Sequence, residues 1–343
     1  MQVPNIDNLE KLIKLGFIKK IKHPTENLYI LSYTKKASRE AVWNQHTLNL
    51  RGLIVDQNYF IKARPFKKFF EKQQLNKNVK IPYHLPYKVE DKLDGSLGIL
   101  YWLNDNPFIA TKSSFDSYQA IIANKILRKK YANSKNLNKK YTYLFEIISP
   151  ENRNIIDYGS TEDLFLIGII DTETGKELNY PNSFPKPTAF KLNISDENLN
   201  KRRITNEGYV IKFQNGFKLK FKGKKFKKDF EEYKKIKIIV YFIILNNYSI
   251  KMLKNRLNKN QYQYALYLYS KGKKLLKYII NHSQKAPIHK IPIFEKIYAD
   301  YNNHKCTSFL KLEIFKRLFF TSQYFSNETP YDLSFLKKND FSI

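Results

Sequence analysis

Eight short strings with the residue usage of β-strands crowd the stretch from about Leu28 to Phe221: "LYILSY", "RGLIVD", "YKVEDKL", "LGILYWL", "YTYLFEII", "DLFLIGII", "EGYVIKF" and "FKLKF". They are short, rich in β-branched and aromatic residues, and separated by polar breaks, which is how strands read. One helical candidate interrupts them, Ser117 to Tyr131, where Ala120, Ile121, Ala123, Asn124, Ile126 and Leu127 give a face near period 3.6. From about Phe226 the apolar residues fall three and four apart, in "KKDFEEYKKIKIIVYFIIL", "SIKMLKNRLN", "QYQYALYLYSKGKKLLKYIINH", "PIFEKIYADYNN" and "SFLKLEIFKRLFF". This change of period predicts an α+β domain over residues 1–225 and an all-α domain over 226–343. No internal repeat at a fixed period appears.

The chain has 343 residues, 42% of them hydrophobic and 15% aromatic, which is too apolar for disorder despite heavy charge. Lys and Arg number 61 against 31 Asp and Glu, a net charge of +30. The excess is general rather than a tail, since residues 226–343 hold 22 basic and 9 acidic side chains. Such a field attracts polyanions, nucleic acid first among them, although an AT-rich genome writes lysine freely whatever the function. The lone Cys306 forms no intrachain disulfide, and a single Cys with six scattered His offers no zinc site. The start lacks an apolar signal core, and "IIVYFIILNN" is too short to span a bilayer. The expectation is a cytoplasmic protein, or one of the host cytoplasm if viral, with no membrane partner.

Neither G-x-x-x-x-G-K-[ST] nor G-x-G-x-x-G occurs, so a P-loop or Rossmann nucleotide site is not expected. Lys92 and Asp94 instead stand before Gly95 between two β-type strings. Asp-Gly there is a strong hairpin signal, with Gly supplying a positive φ, and on that reading Lys92 is a solvated charge. Four other features accompany it: Arg51 at the start of a strand, followed by "ARPFKKFF"; Glu146 inside the apolar "YLFEII"; Glu207 before Gly208 in "NEGYVIKF"; and Lys218 and Lys220 on one face of a strand. Each has an ordinary structural explanation: a strand end, a bridge between strands, a solvated lysine face. A carboxylate facing inward needs a partner, or it costs several kcal/mol.

Taken in order, Lys-x-Asp-Gly, Phe-Glu, Glu-Gly-Tyr-Val and Lys-x-Lys resemble the motifs of the covalent nucleotidyltransferases. The strings "LRGLIVD", "ARPFKKFF", "KLDGSLGILYWL", "ATKSSFDSYQA", "FEIISPENRNIIDY", "EGYVIKF" and "FKLKFK", over about residues 28–222, resemble those of the phage RNA ligase 1 family of tRNA-repair ligases. The resemblance implies an α+β nucleotidyltransferase (ATP-grasp-like ligase) domain with antiparallel sheets. It implies an ATP-dependent RNA ligase that joins 5′-phosphate and 3′-hydroxyl ends through a lysyl-AMP on Lys92 and an adenylylated RNA end. Lys92 has to lose its proton to attack, so a lowered pKa is expected of it.

By the same resemblance Lys218 and Lys220 contact the α-phosphate, and Asp94 is the motif aspartate. Gly95 lets the backbone approach the nucleotide, and Glu146 binds the ribose or a metal. Glu207 is linked to Mg²⁺ or Mn²⁺, and Arg51 and Lys112 serve the outer phosphates and the 5′-phosphate end. The partners implied are RNA, in particular tRNA with a cleaved anticodon loop, and a separate end-healing kinase and phosphatase, with the ligase itself a monomer. Tyr262, Tyr264, Tyr267 and Tyr269 in the helical region either stack bases or serve helix packing. The alternatives are a catalytically inactive RNA-binding protein on a ligase fold, and a DNA ligase or capping nucleotidyltransferase.

Overall fold

In the computed structural model residues 1–179, 183–194, 206–245 and 247–285 are described. The chain divides into two compact units, the second beginning at Lys228. In chain order the elements are α1 (Ile6–Lys14), β1 (Ile18–Lys22), β2 (Leu28–Tyr33), α2 (Lys35–Arg39), α3 (Gln45–Asn49), β3 (Arg51–Asp56), β4 (Ile61–Ala63), β5 (Tyr87–Lys92), β6 (Ser96–Leu103) and β7 (Asn106–Thr111). There follow α4 (Tyr118–Lys130), β8 (Tyr141–Ile148), β9 (Asp163–Asp171), β10 (Glu177–Leu178), β11 (Ala189–Phe190), β12 (Gly208–Phe213), β13 (Lys218–Lys222), α5 (Lys224–Leu245) and α6 (Lys259–Lys285).

Three sheets, antiparallel throughout, carry the first unit: β1-β2-β3-β4, β10-β9-β8-β6-β7 and β11-β5-β12-β13. Helix α1 buries Leu9 and Leu12 with Ile18, Leu31, Leu53 and Val55 on one face of the first sheet. The other face of that sheet, through Leu28, Ile30, Ile54 and Ala63, meets Leu97, Ile99, Ala110 and Leu144 of the second. Behind the second sheet, α4 packs Ile122, Ala123, Ile126 and Leu127 on Tyr143, Phe145 and Ile147. The second sheet is therefore covered on both sides, which is why β6 and β8 read as nearly unbroken apolar runs. Burying a side chain such as Phe145, which has no exposed surface, stabilises by about 2–3 kcal/mol.

Helix α4 begins at its Ser117 cap, whose hydroxyl accepts the Ala120 N–H, but its buried face is rotated from the expected one. Ile121 is 54% exposed and Ile122 takes its place in the core. Asn124 sets that rotation by bonding both backbone groups of Ile109 on β7, at 2.9 Å each. The Asp94–Gly95 hairpin is also corrected: β5 and β6 lie in different sheets, so this dipeptide is a crossover, and Gly95 does not have a positive φ.

From Lys228 on, the described residues are helical apart from short turns. Helices α5 and α6 pack through Ile236, Val240, Ile243, Tyr264, Ala265 and Leu268, with a 3-10 turn at Ile250–Leu253 where a helix was expected. Tyr264 is buried, and Tyr262, Tyr267 and Tyr269 are partly buried on the same cluster, so these tyrosines take part in helix packing. The strings "PIFEKIYADYNN" and "SFLKLEIFKRLFF", and Cys306, lie outside the described residues. Among the described residues no helix is long and apolar enough to cross a membrane.

Gly208 opens β12 between its neighbours, paired with Lys92 of β5 on one side and Lys222 of β13 on the other. Its φ is +149°, and an added Cβ would stand 1.9 Å from the Phe221 carbonyl oxygen. Gly208→Ala is therefore expected to destabilise the first unit by about 2–4 kcal/mol in urea unfolding. A variant with the wild-type midpoint would contradict this register.

Candidate active site

The third sheet sorts its side chains by parity. Val89, Tyr209, Ile211, Phe213 and Leu219 form an apolar cluster on one face. The other face carries Glu90 and Lys92 of β5, Gly208, Val210 and Lys212 of β12, and Lys218, Lys220 and Lys222 of β13, because side chains across a ladder share a face. Gly208 leaves a gap between Lys92 and Lys222, and Glu207, the residue before it, joins them. Lys92 Nζ donates to Glu207 Oε2 at 2.7 Å, and Lys222 Nζ lies 2.7 Å from Oε1. Glu207 is 3% exposed, and despite its burial the two ammonium groups hold its carboxyl below the ordinary range.

The same carboxylates determine the state of Lys92. Burial by itself would lower its pKa, but Glu207, then Glu146 and Asp94, outweigh it and the pKa is raised. The expected lowering is corrected on this point: Lys92 is held as an ammonium, with a carboxylate oxygen already in contact with its proton.

Asp94 and Gly95 lead from this sheet to β6. The Asp94 carboxylate accepts the N–H groups of Ile155 and Ile156 at 2.9 and 3.0 Å, and its own N–H donates to the Tyr158 hydroxyl at 2.8 Å. It thus ties the loop after β8 to the residue next but one to Lys92. Burial and the charge of Glu207 raise its pKa. Gly95 approaches β8 so closely that a Cβ would lie 2.5 Å from the Ile147 carbonyl oxygen. Its N–H donates to Glu146 Oε1 at 3.0 Å. Burial pushes the Glu146 carboxyl up to about 7, against the pull of Lys92 and with the help of Glu207.

Four more cations surround this pair. Arg51 starts β3, Lys68 follows β4, Lys112 follows β7 and Lys220 lies on β13. Among the described residues none of the four has a carboxylate partner. Burial, then Lys68, Lys222, Lys92 and Arg51, lowers Lys220 to about 7. Burial and Arg51 lower Lys68 to about 8, and burial, Arg51, Lys68 and Lys35 lower Lys112, against an opposing pull from Tyr33. Partly buried cations without a carboxylate partner, three of them lysines with a lowered pKa, can take a multiply charged anion.

The structure gathers Arg51, Lys92, Asp94, Gly95, Lys112, Glu146, Glu207 and Lys220, and it separates Lys218 from Lys220. Four residues along β13 from Lys222, Lys218 forms an ion pair with Glu177 of β10, beside Lys212, which contacts Glu90 at 2.7 Å. Lys68 and Lys222 were not singled out from the sequence, although both stand in strings that were, and Lys222 continues the period of Lys218 and Lys220. Asn154 and Tyr158 also stand in a quoted string but were not singled out, because their contacts to Asp94 and Gly95 come from the loop after β8, which has no periodicity to read.

Among the described residues no group of three or more His, Cys, Asp and Glu is placed to hold a metal. Glu146 and Glu207 are two acids of one site, Glu207 raising the Glu146 pKa, a charge pattern that a hard divalent cation would relieve, although both Glu207 oxygens are on lysines in this structure.

A family model for RNA ligases of the phage T4 type matches residues 49–226, just over half of the chain, and the chain belongs to that family. Solved structures give distant likenesses. An archaeal ATP-dependent RNA ligase is 13% identical, with 69% of this chain and 64% of that one covered and a TM-score of 0.43. An RNA ligase of Naegleria gruberi with PPi is 18% identical over 43% of this chain and 52% of that one, TM-score 0.34. A variant of that ligase with ATP and Mn gives 16%, 48% and 59%, TM-score 0.38. The chain spans less than two-thirds of the length of each of these.

Glu146 makes stability depend on pH. The folded carboxyl keeps its proton to about pH 7, the unfolded one only to about 4.5. Its contribution is therefore whole below pH 4.5 and is lost as pH rises through 7. Glu146→Gln mimics the neutral acid, so it should gain on the wild type by up to about 3 kcal/mol between pH 5 and pH 8. Parallel stability curves for the two proteins would show that Glu146 is ionised throughout.

Proposed function

We propose that this chain is an ATP-dependent RNA ligase that joins 5′-phosphate and 3′-hydroxyl RNA ends through a lysyl-AMP on Lys92. The observation that carries the reading is the set Arg51, Lys68, Lys112 and Lys220, without a carboxylate partner among the described residues, beside a lysine hydrogen-bonded to a carboxylate. The four cations offer the triphosphate a counter-charge, and the lysine offers a nucleophile.

In this reading Lys220, one rung from Lys222, takes the α-phosphate, and Arg51, Lys68 and Lys112 take the outer phosphates. Lys220 and Lys222 turn their ammonium groups to the incoming phosphates, and the Lys92 proton leaves along its hydrogen bond to Glu207 and on to solvent. The freed Nζ lone pair forms the N–P bond as the bond to pyrophosphate breaks. Asp94 holds the crossover and the loop after β8, so that Lys92 does not swing away. Glu146 orients the ribose. Once the Lys92 proton has left, Glu207 would join Glu146 in holding a divalent cation that screens the phosphate charge. Lys218, held by Glu177, is assigned to bracing β13 rather than to direct contact.

The adenylate then passes to an RNA 5′-phosphate, and a 3′-hydroxyl displaces AMP. Broken tRNA, healed beforehand by a separate kinase and phosphatase, is the substrate this reading favours, with the helical unit contributing to its choice and the enzyme acting as a monomer in the cytoplasm.

The test is incubation with Mg²⁺ and ATP labelled on the α-phosphate, followed by denaturation. Label should stay on the wild type, be absent from Lys92→Ala, form about 10²–10³-fold more slowly in Lys220→Ala, and chase onto 5′-phosphorylated RNA. An unlabelled wild type, even after pyrophosphate has stripped any bound AMP, would overturn the reading.

A further inference from the structure

Among the described residues Lys68 has no acid beside it, and three rings stand in that place. Its Nζ lies 4.3 Å from the ring centroid of Trp43, 4.9 Å from Phe70 and 5.0 Å from Tyr33. The rings brace each other edge to face, Tyr33 with Trp43 at 5.3 Å and Trp43 with Phe70 at 5.5 Å.

The backbone fixes this box on several sides. Asn44, next to Trp43, accepts the His46 and Thr47 N–H groups at 2.9 and 3.0 Å while the Thr47 hydroxyl accepts the Asn44 N–H at 2.8 Å. This capping box starts α3, whose Leu48 carbonyl takes the Lys68 N–H at 2.7 Å. Tyr33 N–H donates to Leu50 at 2.7 Å, and the Phe70 carbonyl accepts Lys220 N–H at 3.0 Å. Trp43 is thus held against Lys68 by the same segment that leads into Arg51.

The choice of rings over a carboxylate has an electrostatic consequence. A carboxylate would hold the ammonium but cancel its charge and repel a phosphate. A ring face attracts the cation through its quadrupole and carries no net charge. We propose that Trp43 is a positioning residue: with Tyr33 and Phe70 it aims the Lys68 ammonium at the outer phosphates of the nucleotide without neutralising it. This rests on the ATP reading for the identity of the anion.

The experiment measures the Kd of inorganic tripolyphosphate by calorimetry and the KM and kcat for ATP in enzyme–AMP formation. The full-length protein carries tryptophan with zero to three ring fluorines inserted at position 43. Fluorination keeps the ring's shape and drains its face, so both Kd and KM should rise stepwise, to about tenfold across the series, with kcat within about twofold. Trp43→Phe should lie near the wild type and Trp43→Leu near the end of the series. A flat fluorine series, or Trp43→Phe as impaired as Trp43→Leu, would overturn the proposal. A wild type that binds tripolyphosphate with the fluorine trend but forms no enzyme–AMP would uphold the box and sink the ligase reading. A wild type that adenylylates with no trend would do the reverse.

Discussion

The Glu207 carboxylate is the tie on which the rest of the site depends. It immediately precedes β12, the strand between β5 and β13, and puts one oxygen on Lys92 and the other on Lys222. A carboxylate this deeply buried is tolerable only when both oxygens are matched, and loss of either partner leaves an uncompensated charge costing about 3–5 kcal/mol. The glycine beside it makes the arrangement possible, since any side chain there would collide with β13.

Around that tie stand cations that have no carboxylate partner among the described residues. Arg51, Lys68, Lys112 and Lys220 come from the first, second and third sheets and the segment between them, so no local sequence preference gathers them; the packing of the sheets does. Their mutual repulsion is offset by the buried cores behind each sheet. The outcome is a difference between two lysines. Lys220 is depressed to about 7 and Lys92 is raised, so in the proposed adenylyl transfer acidity alone would select Lys220 as nucleophile. Neighbours argue otherwise. Lys220 is ringed by cations, and an arriving phosphate would restore its proton, whereas in the proposed reaction the Lys92 proton has the Glu207 carboxylate as its first stop.

Much of this was legible in the sequence, and the remainder was lost for definite reasons. The β-like strings from Leu28 to Phe221 became β2, β3, β5, β6, β8, β9, β12 and β13, because β-branched and aromatic runs bounded by polar breaks have few other ways to fold. β1, with three lysines in five residues, and the two-residue strands β10 and β11 leave no such trace. Period 2 placed Lys218 and Lys220 on one face, but distance along the face is set by register with β12 and by Glu177, which the sequence does not display. Asp94–Gly95 carried a hairpin signal because a local dipeptide cannot report which sheet each flanking strand will join. Ile121 was misplaced because a contact from Asn124 to another element rotates α4.

The central claim is that the nucleophile is chosen by its proton acceptor rather than by its own acidity. Peptide mapping by mass spectrometry after incubation with Mg²⁺ and ATP tests it most directly. The account predicts one AMP per chain, on Lys92. An adduct on Lys220 or Lys222 would show that depressed acidity within the cation cluster, and not the Glu207 contact, selects the reacting lysine.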